Sequence, residues 1–235
     1  MWRVSRVAST GSTNADVAAA ARAGEPEGYV LVADEQTAGR GRLGRPWSSP
    51  PGTSLSVSVL LRPPLPTGWS WLPLLVGVAA REAVGDVAAV DAALKWPNDV
   101  QRGGRKLAGV LVERVDTPQG PAAVAGIGMN ITSAPAGAAA LSDTGVTRDG
   151  VLDALLARLA AWYQHWVSAP DGPELPEAYR RSCATIGQQV RVELPGGASI
   201  TGLARDIDSD GRLVVSTASG DEVVGAGDIV HLRSA

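Results

Sequence analysis

The arrangement of apolar residues along this 235-residue chain changes once, shortly after Cys183. Before that point, continuous apolar runs such as Tyr29–Ala33 predict buried strands, and longer apolar stretches such as Trp69–Val84 predict buried helices. After it, only short β-like runs occur, separated by turns rich in glycine and aspartate. We therefore expect a region of mixed helices and strands, followed by a β module of roughly 50 residues that forms a small SH3-like barrel.

The spacing of polar and apolar residues predicts the other helices and strands. Ser12 and Thr13 supply a hydroxyl cap, with Asp16 three residues after Thr13, so a helix is expected from there to about Ala23. Ser54–Leu61 alternates strictly, which predicts a half-buried strand with a hydroxyl face. The other predicted elements are strands at Ala93–Trp96, Leu107–Val115 and Ala122–Ile131, helices at Val151–Val167 and Pro176–Thr185, and β runs at Gln188–Leu194, Ser199–Asp206, Arg212–Thr217 and Glu222–Val224.

Two long stretches lie between these elements. Asp34–Thr53 is polar and glycine-rich, and loops of that length inside compact domains are usually functional or disordered. Thr132–Gly150 is rich in small residues, with Leu141 as its main large apolar side chain, so we expect a mobile surface loop.

Composition excludes several classes of function. The net charge of −3 argues against general nucleic-acid affinity, which usually accompanies a basic domain. Cys183 is the only cysteine, which excludes an internal disulfide and a cysteine-based metal cluster. The longest apolar stretch, Leu72–Ala80, is too short to span a membrane, and the N-terminal residues carry no signal pattern. We expect a cytoplasmic protein.

Lysine occurs only twice, at Lys95 and Lys106, whereas arginine occurs nineteen times. One interpretation is chance combined with a GC-rich coding bias. The other is that a compact ammonium is required at these positions, because lysine is a point charge and arginine a planar fork. Neighbouring motifs favour the second interpretation.

The first of these motifs is Gly39-Arg40-Gly41-Arg42-Leu43-Gly44-Arg45. Glycine lets backbone N–H groups approach an anion, and arginine matches carboxylate or phosphate geometry. The motif is not a Walker loop, since it lacks Gly-Lys-Ser/Thr, and no helical pattern follows as a dinucleotide fingerprint requires. A solvated arginine/glycine linker is the alternative. We favour a loop that binds a small anionic molecule.

Lys95-Trp96-Pro97-Asn98-Asp99 follows a predicted strand, where ligands bind in α/β sheets. Asn98 and Asp99 could hold Mg²⁺ or form an ordinary turn. Lys106 enters the next strand, where it could neutralise charge at phosphorus or be a solvated edge lysine. Ala125–Ile131 contains two glycines, which indicates close approach of a ligand or backbone. Together these groups suit activation of a carboxylate by a nucleotide.

Five motifs occur in order: Ser12-Thr13-Asn14; Gln36 to Arg42 with Gly44 and Trp47; Lys95 to Asp99; Arg105 to Glu113; and Gly126 to Asn130. In order and spacing they resemble the motif series of biotin protein ligases over essentially the whole chain. The resemblance implies an α+β fold of the class II synthetase-like, biotin–lipoyl ligase type, with a mixed β-sheet flanked by helices and a C-terminal SH3-like β-barrel. It implies a catalytic domain at residues 1–186 and a β domain at residues 187–235.

The resemblance also implies an activity. Biotin carboxylate attacks the α-phosphorus of MgATP to give biotinyl-5′-AMP, and a lysine of the biotin carboxyl carrier domain of an acyl-CoA carboxylase then attacks the anhydride. ATP, Mg²⁺ and biotin are expected as substrates and metal, with no tightly bound cofactor. A monomer or weak homodimer is expected, without nucleic-acid or membrane partners. Since the Ser12 helix begins almost at once, we expect the short form that lacks an N-terminal DNA-binding domain.

Residue roles carry over from the resemblance. Lys106, Arg40 and Asp99 are the expected catalytic residues, and Asp99 and Asn130 are the expected magnesium ligands. Trp47 is expected to pack on the adenine side, while Gly109 and Gly128 leave room for the ligand. The expected biotin-binding residues are Ser12, Thr13, Asn14, Gln36, Arg40, Gly41, Arg42, Lys106, Gly109 and Gly128, and the expected ATP-binding residues are Arg40, Arg42, Trp47, Asn98, Lys106 and Asn130.

Three alternatives remain open. A lipoate–protein ligase would share the fold and the adenylation chemistry, although the Lys95–Asp99 motif and the Gly/Arg loop favour biotin. A non-catalytic nucleic-acid-binding module would use the arginine loop and the small barrel. An inactive biotin-binding module would make no pyrophosphate.

Overall fold

The computed structural model describes residues 2–64, 68–194, 197–225 and 227–232. Within these ranges, none of the helices is both long and apolar enough to cross a membrane. The strands are β1 (Arg3–Thr10), β2 (Tyr29–Gln36), β3 (Ser54–Leu61), β4 (Ala92–Lys95), β5 (Asp99–Arg102), β6 (Arg105–Thr117), β7 (Gly120–Asn130), β8 (Gln189–Glu193), β9 (Ser199–Ile207), β10 (Leu213–Thr217), β11 (Gly220–Val224) and β12 (Asp228–His231). The helices are α1 (Thr13–Arg22), α2 (Leu72–Ala88), α3 (Arg148–Ser168) and α4 (Glu174–Ser182), with 3₁₀ turns at Arg42–Gly44 and Trp69–Trp71.

The first sheet has the order β1-β2-β3-β7-β6-β5-β4. Only β1 and β2 pair in parallel, and the other neighbours are antiparallel, so the sheet is mixed as predicted. Side chains alternate across it: Val30 and Val32 join the large core with α2, α3 and α4, while Leu31 packs with Val17 of α1 on the opposite face. The sheet is therefore the middle layer between α1 and the other helices.

Strand β3 departs from its predicted environment. All eight of its residues are buried, so the half-buried prediction was wrong. The apolar side chains face α2 and α3, and the hydroxyl face is covered by α1, where the Ser58 hydroxyl donates to Asn14 Oδ1 over 2.6 Å. The alternation of serine and apolar residues identified the two faces of β3. It could not show that the polar N-terminus of α1 covers the hydroxyl face.

Three strands were not predicted, whereas the predicted hydroxyl cap of α1 is present and is supplied by Ser12 alone. Strand β1 is an exposed edge strand rich in arginine and serine, and β5 and β12 are only four residues long, so none carries an apolar run. The cap of α1 is Ser12, whose hydroxyl accepts from the Ala15 amide. The hydroxyl of Thr13 is instead turned to the first sheet, within 2.8 Å of Ser58 Oγ.

The second sheet has the order β11-β10-β9-β8-β12. All of its neighbouring strands pair antiparallel, which confirms the predicted small C-terminal β module, and among the described residues no pairing between the outer strands β11 and β12 closes it into a complete barrel. It packs on the first region through a continuous core, and two indoles reach across: Trp71 Nε1 donates to Ser209 O over 2.6 Å and Trp96 Nε1 to Gly211 O over 3.0 Å.

The Thr132–Gly150 stretch is more firmly packed than predicted. Ala139 and Leu141 are buried. The Ala139 amide donates to Lys106 O and the Leu141 amide to Ile131 O, each over 2.9 Å. The buried Ala139 and Leu141 and their backbone hydrogen bonds therefore hold a segment that its composition predicted to be mobile.

Ser58→Ala should lower the free energy of unfolding by about 1–3 kcal/mol, because it leaves the buried Asn14 oxygen without its hydroxyl donor. Urea unfolding followed by circular dichroism measures the change. Ser199→Ala, on an exposed strand position, is the control and should stay within about 0.5 kcal/mol of the parent. Equal effects of the two substitutions would contradict this role of Ser58.

Candidate active site

One cavity of about 350 Å³ is lined by all fourteen residues predicted to form the site. Its walls are the N-terminus of α1, the segment that follows β2, and strands β5, β6 and β7. That volume lies in the range of small-molecule sites. Sequence motifs more than a hundred residues apart therefore converge on one place, although the contact of each residue with a ligand remains a prediction.

One end of the cavity is neutral and polar. The backbone amide of Thr13 donates to Gln36 Oε1 over 2.9 Å, and the Thr13 hydroxyl lies 3.1 Å from the same oxygen. Ser12, Thr13 and Asn14 are buried at the start of α1. This end therefore presents hydroxyl and amide groups in fixed orientations, which suits a neutral ligand group with N–H donors and a carbonyl acceptor.

Asn14 holds the first helix against the sheet. Its amide nitrogen donates to Glu113 Oε2 over 2.6 Å and to Leu111 O over 3.3 Å, while its oxygen accepts from Ser58. At Gly126 a Cβ would lie 2.1 Å from Asn14 Oδ1, so the side chain fits only against glycine. The predicted contact of Asn14 with biotin is untested, and its polar atoms are already used in packing.

The other end of the cavity is cationic. Lys106 Nζ forms an ion pair with Asp99 Oδ1 over 2.7 Å, and Arg42 Nη1 donates to Asn98 Oδ1 over 3.3 Å. Burial lowers the pKa of Arg42 and of Lys95, and in both cases the nearby Asp99 carboxylate opposes the shift. Partly desolvated cations of this kind favour an anionic ligand group.

The Trp47 indole packs directly against the backbone at Gly128. A Cβ at Gly128 would lie 2.4 Å from its indole, and one at Gly109 would lie 3.0 Å from Lys106 Nζ. Gly128 therefore admits the Trp47 indole and Gly109 the end of the Lys106 side chain, while their predicted role in leaving room for the ligand stays a prediction. The Trp47 Nε1 atom is buried and has no hydrogen-bond acceptor among the described residues. Its predicted place on the adenine side is untested.

Asp99 and Asn130, the two predicted magnesium ligands, both have protein partners in the structure. Asp99 is paired with Lys106, and the Asn130 side-chain amide donates to Ala139 O over 3.0 Å. In the part of the chain that the structure describes, no group of three or more His, Cys, Asp or Glu side chains is placed to hold a metal ion. The binding of magnesium by Asp99 and Asn130 therefore stays a prediction.

Several residues around the cavity were not among the predicted site residues. Ser58 and Glu113 orient Asn14. The sequence did point to both, because Ser58 belongs to the hydroxyl face of β3 and Glu113 ends the motif that begins at Arg105. Arg45 and Asp228 also line the cavity and form an ion pair. Asp228 had no local signal, because it reaches the cavity only through the packing of the second sheet.

A second cavity of about 600 Å³ lies on the other side of the Arg40–Gly44 segment. It shares Arg40, Arg42 and Asn98 with the first cavity and is closed on its far side by Asp210–Arg212 of the second sheet. A cleft therefore leads from the surface to the cationic end of the site.

Comparisons with known proteins agree with this geometry. Residues 8–130 match the model of the biotin/lipoate A/B protein ligase family, and residues 185–232 match that of the biotin protein ligase C-terminal domain. The chain is 44% identical to a biotin–[acetyl-CoA-carboxylase] ligase of Mycobacterium tuberculosis, covering 99% of this chain and 90% of the relative. A ligase of the same name from Paracoccus denitrificans is 32% identical, covering 95% and 98%.

Solved structures of biotin protein ligases also superimpose on this chain. The biotin protein ligase of Aquifex aeolicus in complex with biotin and ATP superimposes with a TM-score of 0.84 at 28% identity, covering 100% of both chains. A biotin protein ligase of Leishmania major with biotinyl-5-AMP gives a TM-score of 0.69 at 27% identity, over 95% of this chain and 99% of the other.

Gly128→Ala should destabilise the fold by about 1–3 kcal/mol, because the added methyl overlaps the Trp47 indole. In the Gly128→Ala/Trp47→Ala double variant that overlap is gone, so the glycine substitution should cost less than 0.5 kcal/mol, roughly the limit for independent sites. Urea unfolding of the parent, both single variants and the double variant measures the coupling. An additive cycle would show that Trp47 does not occupy this space.

Proposed function

The chain belongs to the biotin/lipoate A/B protein ligase family, and we propose that it is an ATP-dependent biotin protein ligase. It activates biotin as biotinyl-5′-AMP and transfers it to a lysine of the carboxyl carrier domain of an acyl-CoA carboxylase. The observation that carries this proposal is the polarity of the 350 Å³ cavity, which has a neutral hydrogen-bonding end and a cationic end.

Biotin fits this polarity. Its ureido ring has two N–H donors and one carbonyl, which match the hydroxyl and amide groups of Ser12, Thr13 and Gln36. Its carboxylate at the end of an aliphatic chain would reach Arg42 and Lys106. A lipoyl group carries the same carboxylate but ends in a dithiolane, which would leave the polar end without hydrogen-bond partners. The geometry therefore favours biotin over lipoate.

The first step is adenylation. A carboxylate oxygen of biotin attacks the α-phosphorus of ATP, a new P–O bond forms, and the bond to the β-phosphate bridging oxygen breaks to release pyrophosphate. The chain contributes orientation and charge: Lys106 neutralises the carboxylate and the α-phosphate, while Arg40 and Arg42 clamp the two anions. Trp47, half-buried against Gly128, helps to exclude water from the mixed anhydride.

The second step is transfer. The neutral amine of the carrier lysine attacks the carbonyl carbon of the anhydride, AMP leaves with the electron pair of the C–O bond, and the amine loses a proton. Asp99 lies beside Lys106 at the cationic end of the cavity, where its carboxylate would orient the amine or accept that proton. The 600 Å³ cleft between the arginine loop and the second sheet is the proposed approach route for the carrier.

Mg²⁺ is proposed to enter with ATP, bound mainly by its phosphates, with Asp99 and Asn130 as the proposed protein ligands. The ion would supply further neutralisation of phosphate charge. We also propose that a catalytic domain ends at residue 186, which the separate family matches at 8–130 and 185–232 support. A cytoplasmic location and a monomer or weak homodimer complete the proposal.

The proposal predicts biotin-dependent exchange of labelled pyrophosphate into ATP by the purified protein, and no exchange with lipoate. The assay uses Mg²⁺ and both acids in parallel. Exchange with lipoate alone would keep the mechanism and overturn the substrate. No exchange with either acid, from folded protein, would favour a non-catalytic binding module.

Lys106→Ala should reduce the rate of biotinyl-AMP formation by about 10²–10³-fold, the usual effect of losing one preorganised charge-stabilising group. Lys106→Arg should also reduce the rate of biotinyl-AMP formation by more than about tenfold, because the guanidinium is broader than the ammonium. Arg105→Ala, at the neighbouring exposed position, is the control and should keep the parental rate. Single-turnover kinetics measures all three, and a normal rate in Lys106→Ala would remove the proposed role.

A further inference from the structure

The Gly39–Trp47 loop turns sharply over the cavity. The Gly41 amide donates to the Arg45 carbonyl over 2.7 Å, and between them Leu43 and Gly44 have left-handed φ angles of 56° and 71°. This conformation is unfavourable for leucine, and the Leu43 side chain is 60% exposed, so its own packing does not hold it. The turn therefore depends on contacts on either side of it.

Two side-chain contacts flank the turn. Before it, Arg42 donates to Asn98 Oδ1 at the end of the Lys95–Asp99 motif. After it, Arg45 forms an ion pair with Asp228. The first contact lies within the region of the first sheet, whereas the second reaches the C-terminal sheet.

Asp228 is well placed to anchor the loop. It is the first residue of β12, which pairs along its length with β8, and its neighbour Ile229 is buried in the core. The Asp228 side chain is 25% exposed, against 64% for Arg45. Among the described residues of the second sheet, Asp228 alone lines the 350 Å³ cavity.

The charges around Arg45 make this contact more important. Burial lowers the pKa of Arg42 and of Lys95, and the positive charge of Arg45 adds to both effects. Arg45 is thus repelled by its cationic neighbours and attracted by Asp228. Loss of the Asp228 carboxylate would remove this attraction and leave the repulsion from Arg42 and Lys95 in place.

We propose that Asp228 is a positioning residue that, through Arg45, ties the Gly39–Trp47 loop to the C-terminal sheet and holds it over the cavity. The Arg45–Asp228 ion pair, called the tie below, does not depend on the reaction. Its consequence for catalysis, slower escape of biotinyl-AMP, rests on the proposed function. The C-terminal sheet then contributes to the site by restraining the loop.

The tie can be measured without any activity. Trypsin cleaves after Arg40 and Arg42, but not at the Arg45–Pro46 bond, so the loop itself reports its opening. At limiting trypsin, the cleavage rate follows the population of the open loop. Asp228→Asn should accelerate formation of the fragments that end at residues 40 and 42 by about two- to fivefold, the range that measured exposed ion pairs allow.

Controls separate the tie from a general loss of structure. Asp221→Asn breaks the similarly exposed Arg205–Asp221 pair of the same sheet and should leave the rate of loop cleavage unchanged. Asp228→Glu keeps the charge and should stay close to the parent. The Arg45→Asp/Asp228→Arg double variant should return the rate towards the parental value, with the fragments assigned by mass spectrometry.

A second readout connects the tie to the reaction. Asp228→Asn should shorten the half-life of bound biotinyl-AMP by a factor similar to its effect on cleavage. Equal cleavage rates for the parent and Asp228→Asn, or equal acceleration by Asp221→Asn, would overturn the proposal. If biotin supports no pyrophosphate exchange, the proposed function fails, whereas the cleavage result still decides whether the tie exists.

Discussion

The close approach of helix α1 to the first sheet, made possible by Gly126, is the contact on which the polar end of the site depends. Asn14 is held there by Ser58 and Glu113, with no space for a side chain at position 126. Because Asn14 is in the first turn of the helix, the same contact fixes Ser12 and Thr13. A buried amide with all of its polar atoms engaged is costly to displace, so this end of the cavity is rigid.

The cationic end is assembled differently. Its groups come from the loop after β2, from β5 and β6, and from the C-terminal sheet, and they meet through charge and not through apolar packing. Exposed ion pairs are individually weak, so the loop can open and close over a rigid pocket. Such a division suits a site that must admit two substrates and then shield a reactive anhydride from water.

Sequence reasoning succeeded where the information is local. Apolar runs located the main helices and strands, and the motifs named side chains that converge on one cavity. It failed where tertiary packing decides: the polar edge strand β1 has no apolar run, β3 is covered on its hydroxyl face by a helix, and Asp228 reaches the cavity only because the second sheet docks beside it. Trp47 was predicted only in part: the sequence placed it near the site, but not in contact with Gly128.

The structure also accounts for one of the two retained lysines. Lys106 Nζ lies 2.7 Å from the Asp99 carboxylate and 6.0 Å from the centre of the Trp47 ring, and a Cβ on Gly109 would lie 3.0 Å from that Nζ atom. A planar guanidinium in that space would press against Trp47 or the strand backbone, whereas a compact ammonium fits. A compact ammonium therefore suits a position that is bounded by Asp99, Trp47 and Gly109.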